Sequence, residues 1–301
     1  LAVTYASGTG AVGFQYNGLF KNTFGKWDFD FNAFYKGPRY TFFYYGLGNE
    51  SGLDYNRRFY RAKANDFYVS PGASRSWGSN YLRFGLQYEN VEVLRNQDKF
   101  ITTPASGVDS SIFSSKDFAG VTGAWNFFNA GERKYPSNGF NLAAGFSFLN
   151  NLDNADRRFI KVNGSATFYH TFFKKLTLAH RTGAAINFGE FDFYHGNALG
   201  FDNDLRGFYR SRFTGRGRFY QNTELRLAAT DLKGYYLKGT LGVYGFFDDG
   251  RVWVSDDASS KLHIGYGGGV YFLPFNVIAF TLYYARSEEA SLVILKAGFF
   301  F

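Results

Sequence analysis

The chain has 301 residues, enough for one large or two average domains, with a net charge of +8 and a sequence pI of about 9.4. Aromatic residues make up 22% of it, which excludes a disordered chain, because disordered chains are poor in aromatics. It contains no cysteine, which excludes a disulfide framework, a thiol nucleophile and a thiolate metal site.

Apolar and polar residues alternate with a period of two from one end of the chain to the other. In KWDFDFNAFY (26–35), Trp27, Phe29 and Phe31 share one face, and Asp28 and Asp30 share the other. Residues 81–89, 159–170 and 176–188 repeat the pattern. A period of two predicts β-strands, and runs of about ten residues are typical of strands that cross a membrane.

The alternation predicts about fourteen strands, although weak boundaries leave twelve or sixteen open. In chain order they are 1–7, 10–19, 26–36, 55–70, 80–93, 116–129, 138–149, 158–171, 174–188, 217–230, 236–248, 261–272, 276–287 and 290–301. Tight turns alternate with long connections at 37–54, 94–115 and 189–216. This order is typical of periplasmic turns and extracellular loops, and the even strand number places both termini on the periplasmic side.

The predicted fold class is therefore all-β, a transmembrane antiparallel β-barrel. A soluble sandwich or propeller also alternates, but sandwich strands are shorter and their outer face is polar. Here Trp27, Trp77 and Trp253 fall near predicted strand ends, where aromatic girdles lie. The uncharged segment 265–285 is long enough for a membrane helix, but its glycines and Pro274 favour two strands.

Residues 205–227 concentrate arginine in and after the longest connection. Five arginines fall within fourteen positions: Arg206, Arg210, Arg212, Arg216 and Arg218. Nucleic-acid binding needs a concentrated basic face, and basic residues elsewhere are thinly spread, so we expect no nucleic acid as partner. Anionic lipid headgroups, including lipopolysaccharide, are the expected partners of the basic surface.

Four motifs around this stretch resemble the bacterial surface-antigen superfamily, which contains BamA, TamA and the two-partner secretion transporters. The first is Leu205-Arg206-Gly207-Phe208, similar to the superfamily's [V/L]RGF motif. The others lie on successive strands: the strand holding Glu224 and Arg226, the FxDxG element with Phe246, Asp248 and Gly250, and the GxG element with Gly265 and Gly267. The resemblance implies that the long extracellular connection folds back and partly fills the lumen.

Alternation independently places these motif residues on the lumen face. Asp248, Glu224 and Arg226 face inward on neighbouring predicted strands, while Gly265 and Gly267 leave space for the connection to enter. We expect Arg206 to pair there with carboxylates, because bidentate arginine–carboxylate pairs are strong and orient both groups. The alternative is a solvated basic loop that contacts lipopolysaccharide phosphates. The remaining arginines are assigned to the surface or the lumen wall.

The candidates for a catalytic or metal-binding arrangement are the four histidines, His170, His180, His195 and His263. No nucleophile-elbow motif and no metal-ligand spacing accompanies them. We therefore predict that the chain is not an enzyme and needs no cofactor and no metal.

The resemblance implies protein assembly or translocation in the Gram-negative outer membrane, with outer-membrane or secreted proteins as clients. The mechanism expected is a weak lateral seam between the first and last strands, which we assign to Val3, Tyr5, Val293, Leu295, Phe299 and Phe301. The alternatives are a membrane anchor or conduit for a fused domain, such as a phosphoesterase or patatin, and a passive pore. We expect residues 1–301 to be one monomeric barrel domain, with the N-terminal periplasmic domain of such proteins absent.

Overall fold

One antiparallel sheet dominates the computed structural model, which describes residues 1–131, 135–154, 156–202, 204–234, 238–255, 259–275 and 277–301. Within these residues fourteen strands pair in chain order, each with its neighbours: β1 Ala2–Ala6, β2 Ala11–Phe24, β3 Trp27–Phe43, β4 Arg61–Trp77, β5 Asn80–Leu94, β6 Ser115–Asn129, β7 Gly139–Asn151, β8 Arg158–Phe172, β9 Leu176–Gly189, β12 Gly217–Lys233, β13 Lys238–Trp253, β14 His263–Pro274, β15 Phe280–Arg286 and β16 Ser291–Ala297. The all-β barrel of fourteen strands is confirmed.

A small separate hairpin, β10 Asn197–Leu199 with β11 Phe213–Gly215, lies in the connection between β9 and β12. We call that connection, residues 190–216, the lumen loop. Short 3-10 helices occur only in connections of the described chain, at Phe100–Thr102, Pro104–Ser106, Ser110–Phe113 and Phe193–His195. Among the described residues no helix has the length and apolar content to cross a bilayer.

The barrel's outer face is apolar, as the alternation predicts. On β5, Phe84 and Leu86 are 50% and 62% exposed, and on β13 the side chains of Val243 and Phe247 point outward in the same way. Exposed apolar faces repeat on nearly every strand, and only lipid makes so large an exposed apolar surface favourable. The core of the protein is therefore its lumen.

The long connections lie at one end of the barrel, because each follows an odd-numbered strand from β3 to β9 of an up-and-down sheet. They pack on one another there. Tyr44 after β3, Ile101 and Ile112 after β5, and Phe193 in the lumen loop form one buried apolar cluster. This cluster covers the end of the lumen from which the lumen loop enters.

Several predicted strand boundaries were wrong, and β2, β4 and β13 extend beyond their predicted ends to Phe24, Trp77 and Trp253. The third strand was predicted to end at 36, but β3 continues to Phe43 through a register shift between Lys36 and Tyr40. The connection predicted at 37–54 consequently lies at 44–60, and β4 begins at Arg61 rather than at 55. The last strand was predicted to reach 301 but ends at Ala297. The predicted strand start at 236 and the turn residue Asn276 lie outside the described residues.

Candidate functional site

The lumen loop is held inside the barrel by its own apolar residues. Leu205 and Phe208 are fully buried, and they pack in one cluster with Leu199 and Phe213 of the loop hairpin and with Tyr220 and Val252 of β12 and β13. The hairpin brings the two ends of the loop together, and the segment between them carries the Leu205–Phe208 motif toward the wall. Burial of these side chains fixes the direction of the neighbouring Arg206.

Arg206 is completely buried and contacts two carboxylates. Its Nε and Nη2 donate to the two carboxylate oxygens of Asp248 at 2.6 and 2.7 Å, and its backbone N–H donates to Asp248 Oδ2 at 3.1 Å. Its Nη1 donates to Glu224 Oε1. Because the planar guanidinium forms two parallel hydrogen bonds with one carboxylate, this contact fixes both the orientation of the loop and its depth in the lumen.

The barrel wall that faces Arg206 carries buried charged side chains, and together with Arg206 their charges cancel. Glu224 also accepts a hydrogen bond of 2.8 Å from Nε of Arg226, and none of these side chains has solvent exposure. The ladder between β12 and β13 places Glu224 opposite Phe246 and Asn222 opposite Asp248. Two arginines and two carboxylates therefore compensate one another in a site closed to water, where an unpaired charge is costly.

Gly265 and Gly250 permit the close approach of loop and wall, and Gly267 makes room for a side chain of the wall. Gly265 lies opposite Asp248 on β14, and a Cβ there would be 1.8 Å from the Arg206 carbonyl oxygen. At Gly267 a Cβ would be 2.7 Å from the ring of Phe246, and at Gly250 it would be 3.0 Å from Leu199 of the loop. The space that these glycines leave is occupied by the loop and by the ring of Phe246.

The residues that follow β16 turn into the lumen and cover this site. Gly298 has a φ of +98°, and Phe299 after it is 9% exposed. The guanidinium of Arg226 lies 3.9 Å from the Phe299 ring centroid, and that of Arg206 lies 4.3 Å from the ring of Phe300. Arg226 Nη2 donates to the Phe301 carbonyl oxygen at 3.2 Å.

Phe299 and Phe301 were therefore misassigned to the lateral seam. Both lie beyond the end of β16, and they pack in the lumen because the left-handed turn at Gly298 breaks the extended strand. Val3 and Tyr5 lie on β1 and are 66% and 71% exposed, and Val293 and Leu295 lie on β16 and are 72% and 75% exposed. In the described chain β1 pairs with β2 and β16 with β15, and no ladder joins β1 to β16.

The other arginines of the basic stretch differ in environment. Arg212 is 2% exposed and forms a bidentate pair with Glu289, so of the two predicted locations, the surface and the lumen wall, the exposed surface is wrong for this side chain. Arg210 lies on the exposed surface of the loop, where it pairs with Asp202. Arg216 donates to the carbonyl oxygen of Gly189 at the end of β9, and Arg218 donates to that of Ala198 inside the loop. The sequence offered no signal for Glu289, which lies 77 residues from Arg212 along the chain.

The histidines make structural contacts. His263 stacks on Phe213 of the lumen loop with ring centroids 3.7 Å apart, and its Nε2 lies 2.8 Å from the Asn49 carbonyl oxygen. His195 Nε2 lies 3.2 Å from Glu89 Oε2. No group of three metal-ligating side chains occurs in the described part of the chain.

One carboxyl group near the end of the barrel that carries the long connections has a lowered pKa. The turn at 287–290, between β15 and β16, carries Glu288, which accepts from Lys261 Nζ at 2.8 Å. The hydrogen bond from Lys261, with a smaller contribution from His263, lowers the pKa of the Glu288 carboxyl below its ordinary value. The contact ties this turn to the connection before β14.

Comparison with known proteins shows what the fold is similar to. No protein-family model matches the chain, and no curated protein matches its sequence. The solved BamA of Haemophilus ducreyi lacking POTRA domains 1–3 matches with a TM-score of 0.66 at 15% identity, over 95% of this chain and 60% of that one. CdiB from Escherichia coli matches with a TM-score of 0.59 at 14% identity, over 95% of this chain and 51% of that one.

CdiB from Acinetobacter baumannii matches with a TM-score of 0.56 at 12% identity, over 93% of this chain and 46% of that one. The chain thus spans between about half and three fifths of the length of these structures. The strand order, the apolar outer face and these matches agree with one another. The chain therefore has the β-barrel fold of these solved BamA and CdiB structures.

Proposed function

We propose that the chain is an outer-membrane protein assembly or translocation barrel that engages client polypeptides at a lateral seam between β1 and β16. The observation that carries the proposal is the unpaired edge of each of these strands in the described chain. An unpaired edge offers backbone N–H and C=O groups to an added strand, which is how an extended peptide joins a sheet. The high exposure of Val3, Tyr5, Val293 and Leu295 agrees with a free edge.

The lengths of the edge ladders support the same proposal. The ladder between β1 and β2 has five residue pairs, and that between β15 and β16 has seven, whereas β12 and β13 share sixteen. Fewer backbone hydrogen bonds hold the edge strands than hold the wall around Asp248. The sheet is therefore weakest where a client strand would enter and strongest where the lumen loop is anchored.

The partners follow from this chemistry. A client would enter as an extended segment with alternating apolar residues, like the strand of another outer-membrane or secreted protein. Lipids and lipopolysaccharide would surround a single barrel. No catalytic step and no cofactor enter the proposal.

The alternatives are a membrane anchor or conduit for a fused domain and a passive pore. A pore requires an open lumen, but the lumen loop, the row of buried charges and the residues after β16 occupy its interior. An anchor requires no free edge. The state of the seam therefore separates the proposal from both alternatives.

A disulfide across the seam tests the proposal. Because the chain has no cysteine of its own, one cysteine can be placed in Ala2–Ala6 and one in Val293–Ala297, and the oxidised barrel reconstituted in liposomes. A urea-denatured outer-membrane β-barrel protein serves as client, and its protease-resistant inserted fraction is measured. The control places the cysteine pair at Val121 and Phe148, which already face each other in the β6–β7 ladder.

We expect the seam disulfide to abolish client insertion, reduction to restore it, and the control disulfide to leave it unchanged. Insertion that survives complete seam crosslinking would contradict the lateral mechanism. Ion conductance that persists with a crosslinked seam would favour the passive pore.

A further inference from the structure

The extracellular end of the last hairpin, β15–β16, is in direct contact with the lumen loop. Ser287 Oγ, in the turn at 287–290, donates to the Gly207 carbonyl oxygen at 2.7 Å. Gly207 has a φ of +90°, and a Cβ there would be 2.8 Å from the Arg286 carbonyl oxygen. The loop backbone therefore lies against the end of β15, one residue from the anchored Arg206.

Arg212 makes a second contact with the same turn. Its Nε and Nη2 donate to the two carboxylate oxygens of Glu289 at 2.7 and 2.6 Å. Its Nη1 and Nη2 also donate to Ser51, to the hydroxyl at 2.9 Å and to the carbonyl oxygen at 2.6 Å. The guanidinium stacks near the ring of Phe213, with its Cζ 4.5 Å from the centroid.

Burial distinguishes this pair from the exposed Arg210–Asp202 pair of the same loop. The side chains of Arg212 and Glu289 are 2% and 17% exposed, whereas those of Arg210 and Asp202 are 50% and 28% exposed. Exposed pairs contribute little to stability, whereas removing one partner of a buried pair leaves a desolvated charge. The Arg212–Glu289 pair is therefore placed to fix the turn, and the Arg210–Asp202 pair is not.

The turn belongs to the hairpin that carries the free edge. In the described chain β16 has one ladder partner, β15, so contacts at the turn hold the hairpin at its extracellular end. Glu288 contributes there through Lys261 and His263, but Glu288 and Lys261 are each about half exposed, at 48% and 46%. The bidentate pair is the most buried ionic contact of the turn.

We infer that Arg212 and Glu289 are a positioning pair through which the lumen loop holds the last hairpin, and with it the width of the seam. With the pair intact, the extracellular end of β16 stays close to the loop and the seam stays narrow. When the pair is broken, the turn is released and the seam samples wider separations. The inference deepens the proposed function, because it names a regulator of the seam on which that function rests.

Spin labels measure the seam without any client. Tyr5 and Val293 are replaced by cysteine and labelled in lipid nanodiscs, and the distance distribution between them is recorded by electron paramagnetic resonance. The test variants are Arg212→Ala and Glu289→Gln, the second of which keeps the side-chain volume. The exchanged pair, Arg212→Glu with Glu289→Arg, tests whether the ion pair itself matters. Arg210→Ala is the matched control.

We expect the wide-seam population to rise about tenfold in Arg212→Ala and Glu289→Gln, as befits loss of a largely buried charge partner. The exchanged pair should recover much of the narrow distribution, and Arg210→Ala should match the unmodified barrel. If Arg212→Ala fails to fold, Glu289→Gln alone decides.

An unchanged distribution in a folded Glu289→Gln barrel would overturn the inference. This outcome is independent of the client assay. If client insertion persists with the seam disulfide formed, the proposed function is wrong, even where the spin-label distances change in the variants. If the spin-label distances do not change in the variants, only the role of the positioning pair is wrong.

Discussion

Gly265 lies directly opposite Asp248 in the β13–β14 ladder, and the carbonyl oxygen of Arg206 occupies the position of its missing side chain, 1.8 Å from an ideal Cβ. The same loop residue thus contacts β14 through its backbone and β13 through its guanidinium. Both contacts require the loop at one depth in the lumen. A change at either strand should therefore move the loop.

Gly265→Ala should displace the lumen loop, because its Cβ would overlap a backbone oxygen that cannot rotate away. We expect the loop to become accessible to protease added outside liposomes, at bonds in 200–212. Gly245→Ala is the control, since its Cβ would have only an ordinary contact of 3.8 Å. Equal protection of the two variants would contradict the close packing of loop and wall.

Phe299→Ala should destabilise the barrel although it lies beyond the last strand. The ring is 9% exposed and packs with Tyr244 and Tyr271, and large-to-small changes at such sites cost about 3–5 kcal/mol. The temperature at which the folded gel band converts to the unfolded one should fall. Phe173→Ala should leave it nearly unchanged, because Phe173 is 92% exposed. If this temperature fell no further for Phe299→Ala than for Phe173→Ala, the packing of the Phe299 ring in the lumen would contribute nothing to stability.

The contribution of the turn at 287–290 to the stability of the barrel should decrease at acidic pH. The pKa of Glu288 is lowered by its hydrogen bonds, so its contribution is present at neutral pH and is lost as pH falls through the lowered value. A small stability difference between the parent barrel and Glu288→Gln should therefore exist at neutral pH and vanish once the pH is below the lowered pKa of Glu288. The carboxylate is half exposed, which keeps the effect small. A difference that grows on acidification would contradict the assigned contact.

The barrel could be predicted from the sequence because alternate residues of each strand face lipid and the lumen. The lipid-facing residues are apolar and the lumen-facing ones are more polar. Asp248, Glu224 and Arg226 were placed on the lumen face by this pattern alone. The pattern fails where a strand continues through an irregularity, as β3 does past Gly37 and Pro38. It also fails after Ala297, where three phenylalanines suit a membrane strand and a packed lumen equally well.

Long-range pairings in the connections could not be predicted, since no periodicity relates their residues. Arg181 Nη2 donates to Asp204 of the lumen loop at 2.6 Å, and Arg212 contacts Glu289, yet neither carboxylate stands in a recognisable motif. Arg206 was assigned through its Arg-Gly-Phe context. The charge of a loop arginine does not reveal whether its partner is a distant carboxylate, water or a lipid phosphate.

A double-mutant cycle on Arg206 and Asp248 tests the anchored loop most directly. The free energy of unfolding is measured by urea titration in phospholipid vesicles for Arg206→Ala, Asp248→Asn and the double variant. Each single change should cost about 3–5 kcal/mol, because one partner of a buried pair is left uncompensated. The double variant should cost at least ~1 kcal/mol less than the two single costs together, with the loop cleaved by external protease in all three. Additive costs with a loop that stays protected would contradict the anchor.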